Sequence, residues 1–256
     1  MRISIIQPDL IWEDKSGNFR QIEYLISDLC NKTDLVILPE MFSTGFTMNA
    51  EKLYEKPFST TFEWMIRISS EGNFGLCGSY IAGEGSMFFN RWLFVTPEGK
   101  SWFYDKRHLF TMSGEEKAFT HGRERVTFKF REVRICPNIC YDLRFPVWSR
   151  NRNDYDLLIN SANWPEARRD VWTTLLKARA IENQCFVAGA NRIGADGTGI
   201  KYCGDSMIIN PKGEIIAFAE KNKECVLTAD ISMKELSDFR KKFPVLKDSD
   251  NFTFNI

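Results

Sequence analysis

The sequence predicts an α/β fold in which two β-sheets pack face to face and helices cover their outer faces. Short β-branched and aromatic runs alternate with longer amphipathic runs, a pattern typical of strands interleaved with helices. Two segments, Thr96-Pro97-Glu98-Gly99-Lys100 and Asn210-Pro211-Lys212-Gly213-Glu214, carry the same hairpin-turn signal, one in each half of the chain. A pure β-sandwich would lack the helices and a doubly wound parallel sheet would lack the hairpins, so four layers are expected.

The individual elements follow from the same periodicities. Strands are predicted at residues 2–7, 35–38, 75–82, 91–96, 101–105, 126–130, 133–139, 157–161, 185–190, 206–210, 214–218 and 225–230. Helices are predicted at residues 15–31, 60–71, 166–183 and 233–241. The third helix is the clearest, because Pro165 suits its first turn and one face carries Val171, Leu175, Ala178 and Ile181.

Length and composition bound the possible functions. The 256 residues are expected to form a single domain, residues 1–256, with a sizeable core. Lysine plus arginine balances aspartate plus glutamate at 34 each, and no basic stripe is present, which argues against nucleic acid or an anionic membrane as partner. The N-terminal apolar run is too short for a signal peptide, and no later segment is long enough to span a bilayer. We therefore expect a cytoplasmic protein that binds a small molecule.

The cysteines are expected to remain reduced. Their number, seven, is odd, and six of them lie mostly in apolar, strand-like contexts: Cys30, Cys77, Cys136, Cys185, Cys203 and Cys225. In a reducing compartment such residues are small core side chains. Cys136 and Cys140 do not have the spacing of a metal-binding pair, and no second pair or histidine cluster accompanies them. Neither a metal nor an organic cofactor is expected.

Cys140 is the candidate nucleophile. It ends the apolar run that begins at residue 134, where a strand gives way to a loop or helix start. The free N–H groups and positive dipole end of a following helix would favour its thiolate. The two histidines, His108 and His121, lie in no motif that would orient a base against a thiol, so both are expected to be structural, with His108 hydrogen-bonding near the site.

Two other predicted strands also end in charged residues. The run of residues 34–40 ends in Glu40, and the run of residues 101–106 ends in Lys106. Taken singly, Cys140 would be a buried apolar residue, Glu40 a helix cap and Lys106 a solvated loop charge. Taken together, glutamate, lysine and cysteine at three strand ends form a different triad from the usual cysteine–histidine pair.

With these motifs assembled, the chain resembles the nitrilase superfamily of carbon–nitrogen hydrolases along nearly its whole length. The resemblance rests on five runs: Leu38-Pro39-Glu40-Met41-Phe42, Tyr104-Asp105-Lys106-Arg107-His108-Leu109-Phe110, Ile139-Cys140-Tyr141-Asp142-Leu143-Arg144-Phe145-Pro146, Asn160-Ser161-Ala162-Asn163-Trp164-Pro165 and Lys177-Ala178-Arg179-Ala180-Ile181-Glu182-Asn183. Within the superfamily, the second, third and fourth runs are similar to those of the omega-amidases, which hydrolyse 2-oxoglutaramate and related 2-oxo acid amides.

The resemblance implies an αββα sandwich with the triad at one end of the sheets. Cys140 would form a thioester, Glu40 would act as general base and acid, and the Lys106 ammonium with the backbone N–H of Tyr141 would face the oxyanion. Many members carry a second glutamate soon after the lysine. Glu115 and Glu116 are both candidates here, with Glu115 slightly favoured.

The substrate pocket is less well defined by the sequence. Candidates for its wall are Phe42, Met112, Phe145 and Trp164, with core packing as the alternative for each. An omega-amidase also needs a partner for the far carboxylate of its substrate. The candidates are Arg144, Arg107, Asn163, Tyr141 and the backbone near Trp164. For Arg144 a structural ion pair with Asp142 is the favoured alternative.

The resemblance also implies a homodimer or a dimer-based oligomer. We expect contributions from residues 140–150, from the helix that begins at Glu166 and from the apolar tail at residues 243–256, which would serve as an interface arm. Two other functions stay open. One is a related hydrolase of N-carbamoyl amines, nitriles or short aliphatic amides, and the other is a catalytically silent scaffold, against which the intact triad argues.

Overall fold

The computed structural model describes residues 1–254 of the chain. Its strands are β1 (Arg2–Gln7), β2 (Leu35–Ile37), β3 (Gly75–Glu84), β4 (Met87–Val95), β5 (Ser101–Asp105), β6 (Phe128–Phe130), β7 (Val133–Ile139), β8 (Leu157–Ser161), β9 (Phe186–Ala190), β10 (Ile193–Ala195), β11 (Lys201–Cys203), β12 (Met207–Ile209), β13 (Ile215–Phe218) and β14 (Cys225–Asp230). Its α-helices are α1 (Lys15–Ile26), α2 (Ala50–Leu53), α3 (Thr60–Gly72), α4 (Glu115–Ala118), α5 (Arg169–Asn183) and α6 (Met233–Lys242). Short 3₁₀ turns occupy Ser27–Leu29, Thr111–Ser113, Cys140–Arg144, Glu166–Arg168 and Val245–Asp248.

The described residues form two six-stranded sheets, as the sequence predicts. The first sheet has the order β14-β1-β2-β3-β4-β5 and the second has the order β13-β12-β9-β8-β7-β6. Both predicted hairpins are present, β4–β5 and β12–β13, and both are antiparallel. Their turn glycines, Gly99 and Gly213, have φ values of +81° and +84°, a left-handed conformation that glycine adopts without steric cost.

The strand directions bring several strand ends to one edge of the sandwich. In the first sheet, β1, β2 and β3 run parallel, and in the second sheet β7, β8 and β9 run parallel. Because the carboxyl ends of parallel strands meet at the same edge, the segments after β2, β7 and β8 become neighbours. Strand β5 pairs antiparallel to β4, which itself runs antiparallel to β3, so the segment after β5 lies at this edge too.

Apolar side chains fill the space between the sheets and the space beneath the helices. The core between the sheets includes Ile5, Ile37, Trp92, Ile135 and Ile159, all fully buried. Helices α1 and α3 cover the outer face of the first sheet, and α5 covers that of the second. Each fully buried side chain of this size stabilises the fold by about 1.5–3 kcal/mol. The predicted αββα layering is confirmed.

The buried face of α5 differs from the predicted one. Its buried residues are Trp172, Leu176, Arg179, Ala180 and Asn183. Of the four residues predicted for that face, Ile181 is 55% exposed and the others are half-buried. The helix carries two apolar stripes one residue apart, and the stripe that holds the large Trp172 ring packs on the sheet because it buries more area.

The tail predicted as an interface arm contains a short turn and also packs on its own chain. The 3₁₀ turn spans Val245–Asp248. Phe254 packs on Trp148 of the same chain, with ring centroids 5.0 Å apart. The last two residues of the predicted arm, 255 and 256, lie outside the described residues. Within the described range, no helix has the length and apolar character needed to cross a bilayer.

Candidate active site

Glu40, Lys106 and Glu115 form a buried ionic cluster at the shared strand edge, with Cys140 beside it. The Lys106 Nζ lies 2.8 Å from Glu40 Oε1 and 2.9 Å from both Glu115 carboxylate oxygens. All three charged side chains are at most 1% exposed. A buried charge without a partner would cost several kcal/mol of stability. Each of the three charged side chains therefore depends on the other two for its stabilisation.

Glu115, rather than its neighbour Glu116, is the glutamate in this cluster. Glu115 is fully buried at the start of α4 and accepts hydrogen bonds from Lys106 and from the backbone N–H of Phe110, at 2.6 Å. Glu116 is exposed. The positions agree with the preference for Glu115 at the sequence level.

The nucleophile candidate lies at a strained turn. Cys140 follows β7, begins the Cys140–Arg144 turn and has a φ of +42°, in the left-handed region that costs a non-glycine residue about 1–3 kcal/mol. Its side chain is partly exposed to the cavity described below. The buried carboxylate of Asp142 holds the turn by accepting hydrogen bonds from the Ile139 N–H, the His108 N–H and the Tyr104 hydroxyl.

The expected ion pair between Asp142 and Arg144 is wrong. In the described residues, Asp142 is occupied by the partners just named and by His108 Nδ1 at 2.8 Å, and no contact with Arg144 is found. Arg144 is exposed and lies over the ring of Trp164, 5.3 Å from its centroid. The expectation that His108 hydrogen-bonds near the site is confirmed.

The electrostatic environment of Cys140 disfavours its thiolate. Burial and the neighbouring Glu40 carboxylate raise the pKa of the Cys140 thiol well above its ordinary value, and Lys106 offsets only part of this. The expected thiolate-favouring helix dipole is therefore wrong, because a five-residue 3₁₀ turn has a small dipole and two carboxylates stand close by. Burial favours a neutral Lys106 amine, but Glu115 and Glu40 outweigh it and raise the pKa of Lys106. Burial raises the pKa of Glu115, partly offset by Lys106.

A narrow cavity of about 60 Å³ opens above Cys140. It is lined by Glu40, Phe46, Lys106, Phe110, Ser113, Cys140, Tyr141, Arg144, Asn163, Trp164, Pro165, Arg168, Ile200 and Tyr202. Its volume is far below the roughly 300–1,000 Å³ of sites for drug-sized ligands, which favours a short substrate. Of the predicted wall residues, Arg144 and Trp164 line this cavity.

Three predicted wall residues lie elsewhere. Phe42 is fully buried against Trp64 in the layer beneath α3, and Phe46 takes the wall position instead. Met112 is 83% exposed, since the Thr111–Ser113 turn directs Ser113 to the cavity. Phe145 stacks on His108, with ring centroids 3.7 Å apart, behind the nucleophile turn.

Among the carboxylate-partner candidates, Arg107 is also displaced from the cavity. Its guanidinium donates to the Gly122 carbonyl and lies over Trp148. Asn163 is at the cavity, but its amide donates to the Glu40 carbonyl oxygen and its backbone N–H donates to Glu40 Oε2. Tyr141 lines the cavity as well.

Several wall residues were not anticipated, above all Arg168. It lies in the 3₁₀ turn that follows Pro165, and its carbonyl accepts a hydrogen bond from Trp164 Nε1 at 2.8 Å. Its guanidinium lies over the ring of Phe110, 5.3 Å from the centroid. The only sequence signal is an arginine one turn after the Asn-Trp-Pro motif. Ile200 and Tyr202 come from the β10–β11 hairpin, which was not predicted because its segment is rich in glycine.

Comparison with known proteins yields consistent matches over nearly the whole chain. Residues 2–241 match the family model for carbon-nitrogen hydrolases. The omega-amidase YafV of Escherichia coli K12 is 44% identical over 252 residues, 98% of each chain. The 2-oxoglutaramate amidase of Bacillus subtilis is 32% identical over 251 residues, 96% of each chain. A crystal structure of a CN-hydrolase superfamily protein from Xanthomonas campestris superposes with a TM-score of 0.97 at 40% identity, covering 100% of this chain and 99% of that one.

Proposed function

The chain belongs to the carbon-nitrogen hydrolase family, and we propose that it is an omega-amidase of small 2-oxo dicarboxylic acid monoamides. Its substrates would be 2-oxoglutaramate and 2-oxosuccinamate, which it converts to the acid and ammonia. The relatives named omega-amidase and 2-oxoglutaramate amidase support this substrate class. The observation that carries the proposal is the combination, in one small cavity, of the Glu40–Lys106–Cys140 group with two arginines, Arg144 and Arg168.

The arginines are available to a substrate carboxylate. Within residues 1–254, neither guanidinium has an acidic partner, and each rests on an aromatic ring. Arginine binds carboxylates through two parallel charge-assisted hydrogen bonds. A dicarboxylic monoamide would reach them with its far carboxylate while its amide lies over Cys140.

In the first half of the reaction, Glu40 takes the proton of the Cys140 thiol as sulfur attacks the amide carbonyl. The Lys106 ammonium and the backbone N–H of Tyr141 donate to the oxyanion of the tetrahedral intermediate. Glu40 then returns the proton to the leaving nitrogen, the C–N bond breaks, and ammonia departs from the thioester. Because the surroundings of Cys140 disfavour a free thiolate, this proton transfer accompanies the attack.

In the second half, Glu40 takes a proton from water, and the resulting hydroxide adds to the thioester carbonyl. The same two donors face the second oxyanion. Collapse of this intermediate breaks the C–S bond, the sulfur regains the proton held by Glu40, and the acid is released. The sum is amide plus water giving acid plus ammonia. In this scheme Glu115 fixes Lys106 and does not itself exchange protons with substrate.

Substrate preference tests the proposed function. Ammonia release is measured for 2-oxoglutaramate, 2-oxosuccinamate, glutamine, asparagine, butyramide and an N-carbamoyl amine. We expect the two oxo acids to exceed butyramide at least tenfold in kcat/KM, since one charge-assisted contact contributes roughly 1.5–3 kcal/mol. Equal specificity for butyramide, or carbon dioxide release from the carbamoyl amine at a comparable rate, would contradict the omega-amidase proposal.

The arginines give a second prediction. Replacing Arg168 or Arg144 with glutamine should lower kcat/KM for 2-oxoglutaramate about tenfold or more, while butyramide hydrolysis changes little. Arg107→Gln is the matched control, because this arginine lies beside the site but outside the cavity. If the Arg168 and Arg144 variants lose kcat/KM equally for charged and neutral amides, neither arginine binds the substrate carboxylate.

We also propose a homodimer. The outer face of α5 supports it: Val171, Leu175 and Ala178 are only half-buried and Ile181 is 55% exposed, leaving an apolar stripe open to a partner. Sedimentation at micromolar concentration should give a dimer mass that Ile181→Asp or deletion of residues 243–256 shifts toward monomer. Tyr24→Asp, at an exposed tyrosine of α1, serves as control. A monomeric wild type unaffected by the deletion would overturn this proposal.

The cellular location is part of the proposal as well. All seven cysteines are free thiols, as suits a reducing compartment such as the cytoplasm.

A further inference from the structure

Asn90, in the middle of β4, joins the ionic cluster as a neutral fourth member. Its Nδ2 donates to Glu40 Oε1 at 2.8 Å and to Glu115 Oε1 at 3.2 Å, so one amide group bridges the two carboxylates. Its backbone carbonyl accepts the N–H of Lys106 at 3.0 Å. The side chain is fully buried. One residue therefore contacts all three charged members of the cluster.

Ser79, on the neighbouring strand β3, fixes the orientation of this amide. The Ser79 hydroxyl donates to Asn90 Oδ1 at 2.8 Å, which turns the Nδ2 group toward the carboxylates. The same hydroxyl accepts the backbone N–H of Met41 at 2.8 Å, next to Glu40 in the chain. The hydroxyl accepts the Met41 N–H, so its single proton is left to point toward Asn90 Oδ1. The Ser79–Asn90 pair thus connects the segment that carries Glu40 to strand β4, where the Asn90 carbonyl accepts the backbone N–H of Lys106.

We infer that Asn90, oriented by Ser79, is a positioning residue that holds the carboxylates of Glu40 and Glu115 in their working arrangement around Lys106. Two carboxylates share a single ammonium here, and a neutral donor between them stabilises both in the charged form without adding a second cation that would compete for the oxyanion. The titratable groups in contact with this amide are Glu40 and Glu115, and Lys106 and Cys140 interact with the same carboxylates. The inference takes the role of Glu40 as base from the proposed function.

The test separates positioning from simple structural support by pH dependence. Asn90→Ala and Asn90→Asp remove a hydrogen-bond donor from the two carboxylates, which makes their charged arrangement around Lys106 less favourable. The acid limb of the pH–rate profile, which is the fall in activity toward low pH, should move up by about one pH unit. The value of kcat should fall on the order of 100-fold, with KM nearly unchanged. The rate of Cys140 alkylation by iodoacetamide, measured without substrate, should show the same shift.

Two comparisons control for damage to the fold. Asn151→Asp makes the same change at another fully buried asparagine, whose amide donates only to the Tyr155 and Asn183 carbonyls, and it should leave both acid limbs in place. Ser79→Ala should shift both limbs in the same direction as Asn90→Ala, by less, whereas Ser79→Thr keeps the hydroxyl and should restore the wild-type profile. If the Asn90 variants do not fold, the comparison of Ser79→Ala with Ser79→Thr tests the inference by itself.

The outcomes distinguish this inference from the proposed function. Shifted alkylation profiles in a protein that does not hydrolyse 2-oxo acid amides would leave the inference standing and remove the proposed substrate. Lower kcat in the Asn90 and Ser79→Ala variants with both acid limbs unmoved would mean that the pair only supports the fold, and the inference would be wrong.

Discussion

Replacing Cys140 with alanine or serine is expected to abolish turnover, by on the order of 10⁴-fold or more, while the protein stays folded. The side chain borders a cavity and is only partly buried against the core, so the loss of one sulfur atom removes few packing contacts. Serine offers a weaker nucleophile than cysteine, and the base beside it is a carboxylate, not a histidine. Ammonia release measures the loss, and thermal unfolding monitored by circular dichroism shows whether the fold survives.

Cys136 provides the matched control, four residues earlier and within strand β7. It is 1% exposed, and burial raises the pKa of its thiol to about 12, so it is an inert core residue. Cys136→Ser should lower stability by about 1–3 kcal/mol, because it buries a hydroxyl, yet keep activity. An inactive Cys136→Ser together with a Cys140→Ser variant of wild-type rate would mean that the nucleophile has been misassigned.

The layered fold was accessible from the sequence because its signals are local. The hairpin turns at residues 96–100 and 210–214 carry proline and glycine at positions that few other structures require. The β10–β11 hairpin, by contrast, has short strands in a segment that carries Gly194, Gly197 and Gly199, a composition that predicts a loop. Its absence from the prediction matters, since it supplies Ile200 and Tyr202 to the cavity.

The three central residues were predicted because each lies just after a strand, and strand direction then brings them together. The pocket wall depends instead on loop conformation, which spacing does not determine. Phe42 shows the difference: it is close in sequence to Glu40, yet its ring packs over Gly78, where a Cβ would lie 2.8 Å from the ring. Only the pairing of β3 with the segment after β2 reveals that this space exists for an aromatic ring.

Buried polar partners are the hardest feature to read from a sequence. Asn90 lies between Phe89 and Arg91 in a strand and carries no motif that marks it as a donor to Glu40. Its role depends on register, because the β3–β4 pairing and the loop after β2 together bring its amide to both carboxylates. Arg168 was missed for a related reason, since its direction depends on a single 3₁₀ turn.

Substituting arginine for Lys106 is the second change with a large expected effect: kcat/KM should fall by on the order of 100- to 1,000-fold despite the preserved charge. The Lys106 Nζ is held at 2.8–2.9 Å by Glu40 and Glu115 and lies 5.2 Å from the Phe46 ring centroid, so the space suits a compact ammonium. A planar guanidinium would displace a carboxylate or enter the cavity where the oxyanion forms.

Lys15→Arg is the matched control. Lys15 lies outside the cavity, and its Nζ is 2.8 Å from Oε1 of the buried Glu55, so this variant should keep full activity. Near-normal kcat/KM in a folded Lys106→Arg variant would show that the lysine supplies only charge to the cluster and that its point contact with the oxyanion does not contribute to the rate.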